Sequence, residues 1–120
     1  MKLRTPRLLR ELRWFIQRGR RGWADCDAWG LDIYLARVIA GGLRSLEAAG
    51  HGYPCLADDN RMGCIQRSWP CGCAAQWSAE LLDAAAKFAA YVGNEDDEAA
   101  QRGAAEALAW MAKRWGNLWD

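Results

Sequence analysis

Five soft or borderline metal donors fall within twenty-three residues near the middle of this 120-residue chain: His51, Cys55, Cys64, Cys71 and Cys73. Four such donors complete a tetrahedral zinc site, and a small loop-rich segment often takes its order from one. The spacing is Cys-x8-Cys-x6-Cys-x-Cys, without the paired Cys-x2-Cys knuckles of zinc domains. One structural zinc held by four of the five, a disulfide such as Cys55 to Cys64 or Cys71, and reduced cysteines without any cofactor all remain compatible with it.

His51 is the sole histidine and so the one side chain whose ordinary pKa lies near neutrality. It follows directly on a predicted helix end, where an imidazole donates to the last carbonyls. Asp25, Asp27 and Asp32 could be read as a carboxylate cluster for magnesium, yet Asp25 and Asp27 stand where a helix needs capping residues. The chain has no G-x-S-x-G elbow, P-loop, dinucleotide fingerprint, H-E-x-x-H or calcium loop. No catalytic residue is expected.

Charge is distributed unevenly. Residues 1–22 hold eight bases (Lys2, Arg4, Arg7, Arg10, Arg13, Arg18, Arg20, Arg21) against Glu11 alone, a local charge of +7, whereas the remaining residues hold eight bases and fourteen acids, a charge of −6. A basic arm on an acidic body implies an anionic partner or an intramolecular clasp. Trp14 and Trp23 lie among the arginines, so stacking can accompany ion pairing. Arg and Trp are also the side chains that most often dominate interface energy.

The elements that must position these groups are helical. Thr5 at the cap and Pro6 at the first helical position form a start signal, and Leu8, Leu9, Leu12, Phe15 and Ile16 recur at helical steps on one stripe that core packing explains more simply than a membrane surface does. Gly19 and Gly22 close that segment. A second helix is expected from Asp25 or Asp27 to Ala49, apolar on several sides and therefore the most buried, with Gly41 and Gly42 marking a close helix approach or a kink. Residues 50–72 form the long cysteine-rich loop. A third helix carries Trp77, Leu81, Ala85, Phe88 and Val92. Asn94 is expected to cap a fourth, buried through Ala104, Leu108, Met111 and Trp115.

These features describe one all-α domain over residues 1–120, a bundle of about four helices with a basic arm at 1–22. The N-terminus lacks a continuous apolar h-region, and residues 31–46 are interrupted by Asp32, Arg37 and Arg44, so neither a signal peptide nor a transmembrane segment is expected. An odd cysteine count with Cys26 far from the rest does not suit a secreted disulfide framework. A soluble protein of a reducing, cytoplasmic compartment follows.

The segments R-G-W-A-D-C-D at 21–27, W-G-L-D at 29–32, L-A-R-V-I at 35–39, H-G-Y-P at 51–54, a Trp-led helix at Trp77 and the closing L-W-D at 118–120 resemble a group of small phage and prophage proteins of uncharacterised activity. In that group an arginine-rich start precedes an R-G-[YW]-x-D-x-D-x-W-x-L-D segment, an H-G-[YW]-P turn and a terminal L-W-D. Here residues 55–73 are longer and richer in cysteine than the corresponding connection. The resemblance implies a phage accessory protein in the cytoplasm of an infected or lysogenic bacterium, of a kind that often acts by occupying a host protein, including components of CRISPR-type defence.

Two functional classes follow. In the first, a non-catalytic binding protein engages a host or phage protein through Arg7, Arg10, Arg13, Trp14, Arg18, Arg20, Arg21 and Trp23, with Tyr53 and Trp69 of the cysteine loop as further contacts. In the second, the same arginines together with Arg4 contact nucleic-acid phosphates. The acidic remainder and the lack of a helix-turn-helix pattern weigh against the second.

Overall fold

In a computed structural model the described residues are 6–50, 53–54 and 73–118, and among them the chain is all-α, as its apolar periodicity predicts. Five helices follow in order: α1 (Arg7–Arg21), α2 (Asp25–Trp29), α3 (Leu31–Ala49), α4 (Cys73–Tyr91) and α5 (Glu98–Arg114), the last continued by a 3-10 turn, Trp115–Asn117. The chain divides into two compact units, Met1–Leu35 and Ala36–Asp120, so the boundary falls inside α3 where the sequence reads as one domain.

In the first unit Pro6 occupies the capping position, one residue earlier than expected for it, and its carbonyl accepts from the Arg10 N–H at 3.2 Å. Thr5 lies outside the described residues. Gly19 stays helical. Gly22 ends α1 at φ +85°, its N–H bonded to the Arg18 carbonyl at 2.9 Å, a left-handed closure that favours glycine. The single long second helix expected from the sequence is in fact two, because Gly30 (φ −133°, ψ 55°) breaks the path between Trp29 and Leu31. Ala24 is the N-cap of α2. Asp27, at the third helical position, accepts the Ala24 N–H at 2.8 Å, so this carboxylate acts from inside the helix.

In the second unit the core joins Ala36, Ala40 and Leu43 of α3 to Trp77, Leu81, Ala84, Ala85 and Phe88 of α4 and Ala107 of α5. The most buried helix is therefore α4, and the expectation that residues 27–49 would be most buried is corrected. On α3 the inward positions recur four and three apart, and two of the three are alanines. Small residues there leave room for the large rings of α4, while Leu35 and Val38 are about half exposed (45 % and 52 %). The rings of Trp77 and Trp110 sit 5.8 Å apart at 33°. Helix α3 runs unbroken through Gly41 and Gly42, and a Cβ added at either meets nothing within 4 Å, so neither marks a close approach.

Helix α5 also departs from expectation. Its inward face is Ala107 with the partly buried Ala104, Trp110, Met111 and Arg114, whereas Leu108 and Trp115 are exposed. Arg114 turns inward because Glu80 of α4 receives it: the carboxylate accepts Trp110 Nε1 at 2.9 Å and the Arg114 guanidinium at 3.3 Å. Asn94 closes α4 rather than opening α5, its Nδ2 donating to the Ala90 carbonyl at 2.8 Å. Asp97 caps α5 by accepting the Ala100 N–H at 2.9 Å.

Candidate binding surface on the first helix

Helix α1 buries none of its residues. At 3.6 residues per turn Leu8, Leu9, Leu12, Phe15 and Ile16 occupy an arc of about 120°. All five are exposed, from 48 % at Ile16 to 79 % at Leu8. Core packing does not explain the stripe.

What holds α1 to its unit is instead the opposite, polar side. Arg18 places Nε 2.9 Å from Asp27 Oδ2 and Nη2 2.6 Å from Oδ1, a two-pronged guanidinium–carboxylate pair. Gln17 and Asp25 bond reciprocally, the amide of Gln17 donating to Asp25 Oδ2 at 2.8 Å and its carbonyl accepting the Asp25 N–H at 2.9 Å. Asp25 also pairs with Arg21, and with Arg13 at 3.5 Å. The hydroxyl of Tyr34, at the start of α3, donates to the Gly22 carbonyl and ties the α1–α2 turn to the same unit.

The electrostatics follow from these contacts. Arg18 and the Ala24 N–H hold the Asp27 carboxyl down to about 2. The bonds from Gln17 and Arg21 lower Asp25, and Asp27 raises Arg18 in return. Permanently ionised groups bound to one another are poor proton-transfer agents at neutral pH.

The predicted contact residues thus fall into two sets. Arg13, Arg18 and Arg21 are drawn toward Asp25 and Asp27, and the Arg21 guanidinium also lies 3.8 Å from the Trp23 ring centre. Arg10 stacks 5.1 Å from the Trp14 ring centre, Arg7 reaches Glu11 at 3.7 Å, and Arg20 is exposed. Leu9, Leu12 and Ile16 lie along one side of α1 beside Arg13, Gln17, Arg20 and Arg21. Apolar and cationic groups therefore adjoin on the same open helix surface.

Tyr53 belongs to the second unit, beside Leu46, Trp77 and Ser78 in a small pocket of about 180 Å³ where Ser78 donates to Glu47 at 2.7 Å. Trp69, His51, Cys55, Cys64 and Cys71 lie outside the described residues. Cys73 opens α4 and is buried, and among the described residues no three His, Cys, Asp or Glu side chains are grouped to hold a metal ion. Gln17, Asp25 and Asp27 were not expected as partners of the basic helix. The available signal was the polar set Arg13, Gln17 and Arg21, spaced four apart with Arg18 beside it, which marks a second, polar side of the helix.

The chain matches no family model, no curated protein and no solved structure.

Proposed function

We propose that this chain is a non-enzymatic binding protein, of the phage accessory type that its sequence resembles, and that α1 is its contact element. One observation carries the proposal: α1 turns its polar side to α2 and presents its apolar arc outward. Five neighbouring large apolar side chains on one exposed helix face form the kind of patch that soluble monomers rarely leave without a role. The arc replaces the arginines as the principal determinant, because three of the six in α1 already face carboxylates of their own unit. For the same reason nucleic acid fits less well than a partner offering apolar contact as well as negative charge.

A photo-crosslinking residue placed at Leu12 in cells tests this, with one at Arg102 on α5 as reference. Leu12 adducts in excess of those at Arg102 support α1 as the contact element. Equal yields at the two positions overturn it.

A further inference from the structure

Helix α1 combines an uncovered apolar arc with six arginines against one acid, a charge of +5 over fifteen residues. These two properties together restrict what can cover the arc. Asp25 and Asp27 answer two of those charges, leaving 5 − 2 = +3, so a second copy of α1 would still bring like charge alongside the first, and such charges repel. A neutral apolar surface would leave the cationic flank unanswered. Position along the helix sharpens the point, since Leu9, Leu12 and Ile16 share one side of α1 with Arg13 and Arg20. An occupant must therefore offer hydrocarbon and anionic charge within one side chain's length, over the approximately 22 Å that fifteen helical residues span.

An anionic phospholipid bilayer has that layered chemistry. We propose that α1 lies in the plane of an anionic membrane surface, with Leu8, Leu12, Phe15 and Ile16 at the acyl boundary and Arg10 and Arg20 on lipid phosphates. This deepens, and rests on, the reading of α1 as the contact element. The features required of an interfacial helix are all present: large apolar side chains on one face, arginine on the other, and low overall hydrophobicity. No helix among the described residues is long and apolar enough to cross a bilayer, so attachment by α1 is peripheral. The unit is arranged for it, because the bonds to Asp25 and Asp27 hold the polar side of α1 and leave the arc free to enter the lipid. Arginine side chains at the arc's edge can extend along it and keep their charge at the headgroups.

Co-sedimentation of the full chain with vesicles of phosphatidylglycerol and phosphatidylcholine, against phosphatidylcholine alone, tests the proposal. Binding to the anionic vesicles should exceed binding to the neutral ones by tenfold or more and should fall as NaCl rises from about 0.1 to about 0.5 M. The double variant Leu12→Glu, Phe15→Glu should bind at least tenfold more weakly with its helical circular dichroism retained, since both positions are exposed. The variant Arg10→Glu, Arg20→Glu should lose the preference for anionic lipid, which gives a second route should the first variant misfold. Failure to bind anionic vesicles, equal binding to both lipids, or unchanged binding by folded Leu12→Glu, Phe15→Glu protein overturns the proposal. So does a lipid-free dimer that the same variant converts to monomer, which would assign the arc to a second copy. Protein adducts at Leu12 without vesicle binding would overturn the lipid proposal and keep α1 as contact element; equal crosslinking at Leu12 and Arg102 without vesicle binding would overturn both.

Discussion

Arg18 reaches nine residues along the chain to take both oxygens of Asp27, at 2.9 and 2.6 Å, and the same carboxylate accepts the N–H of Ala24, the N-cap of α2. One acid thereby fastens α1 and starts the next helix. Asp27 is 8 % exposed, so its loss leaves a guanidinium and a backbone N–H short of partners. Asp27→Ala should cost about 1 to 3 kcal/mol in urea unfolding. Arg18→Ala should cost less, because Asp27 keeps the Ala24 N–H.

Acid should expose the same contact. The Asp27 pKa is depressed to about 2 in the fold, chiefly by Arg18, against an ordinary value near 3.9 when unfolded. Its stabilising contribution is complete above the unfolded value and is lost as pH falls toward about 2. Unfolding curves between pH 5 and pH 2 should thus show the difference between wild type and Asp27→Asn shrinking as pH falls, whereas a constant difference would remove the ionised pair as its source.

The core of the second unit predicts a ranking. Leu81 is 2 % exposed and lies among the rings of the α4 face, so Leu81→Ala should cost about 2 to 5 kcal/mol. Leu35→Ala and Val38→Ala, at half-exposed positions, should each cost below about 1 kcal/mol. Equal losses at the three positions would mean that α3 is as central as its composition suggests.

That composition shows how far the sequence could be read. Helix periodicity was legible wherever large apolar residues recur, and α4 has the buried set Trp77, Leu81, Ala85 and Phe88 that the spacing implies. It misled where small residues do the packing. Ala36, Ala40 and Ala107 define the inward sides of α3 and α5, and weighting by size points instead to Leu35, Val38, Leu108 and Trp115, which are exposed. The candidate surface was half legible. The arginines and the apolar stripe of α1 stand out, but their roles are exchanged, because Gln17, Asp25 and Asp27 draw the polar side inward and no local pattern reports which side of an amphipathic helix a short neighbour will hold.

Glu80 supplies a further test. It accepts from Trp110 and Arg114, and the side chains of Glu80 and Arg114 are 22 % and 18 % exposed. Glu80→Ala and Arg114→Ala should be non-additive, with a coupling of about 0.5 to 3 kcal/mol in a double-mutant cycle. A coupling near zero would leave Trp110 as the partner that matters.

The glycines of α3 give the last prediction, one of opposite sign. Gly41 and Gly42 are helical, and a Cβ at either would meet nothing within 4 Å. Glycine in a helix interior is about 0.5 to 1 kcal/mol less favourable than alanine. Gly41→Ala and Gly42→Ala should therefore each raise stability by that amount, measured as an upward shift of the thermal midpoint. Gly93 provides the internal contrast: its Cβ would also meet open space, but its φ is +86°, so Gly93→Ala should destabilise by about 1 to 2 kcal/mol. Gly42 borders an open groove of about 860 Å³ between Val38 and Leu46 of α3 and Met111 and Trp115 beyond. If Gly42→Ala lowered the midpoint while Gly41→Ala raised it, the groove would have to close on Gly42 in solution, and the open space beside that residue would not survive the test.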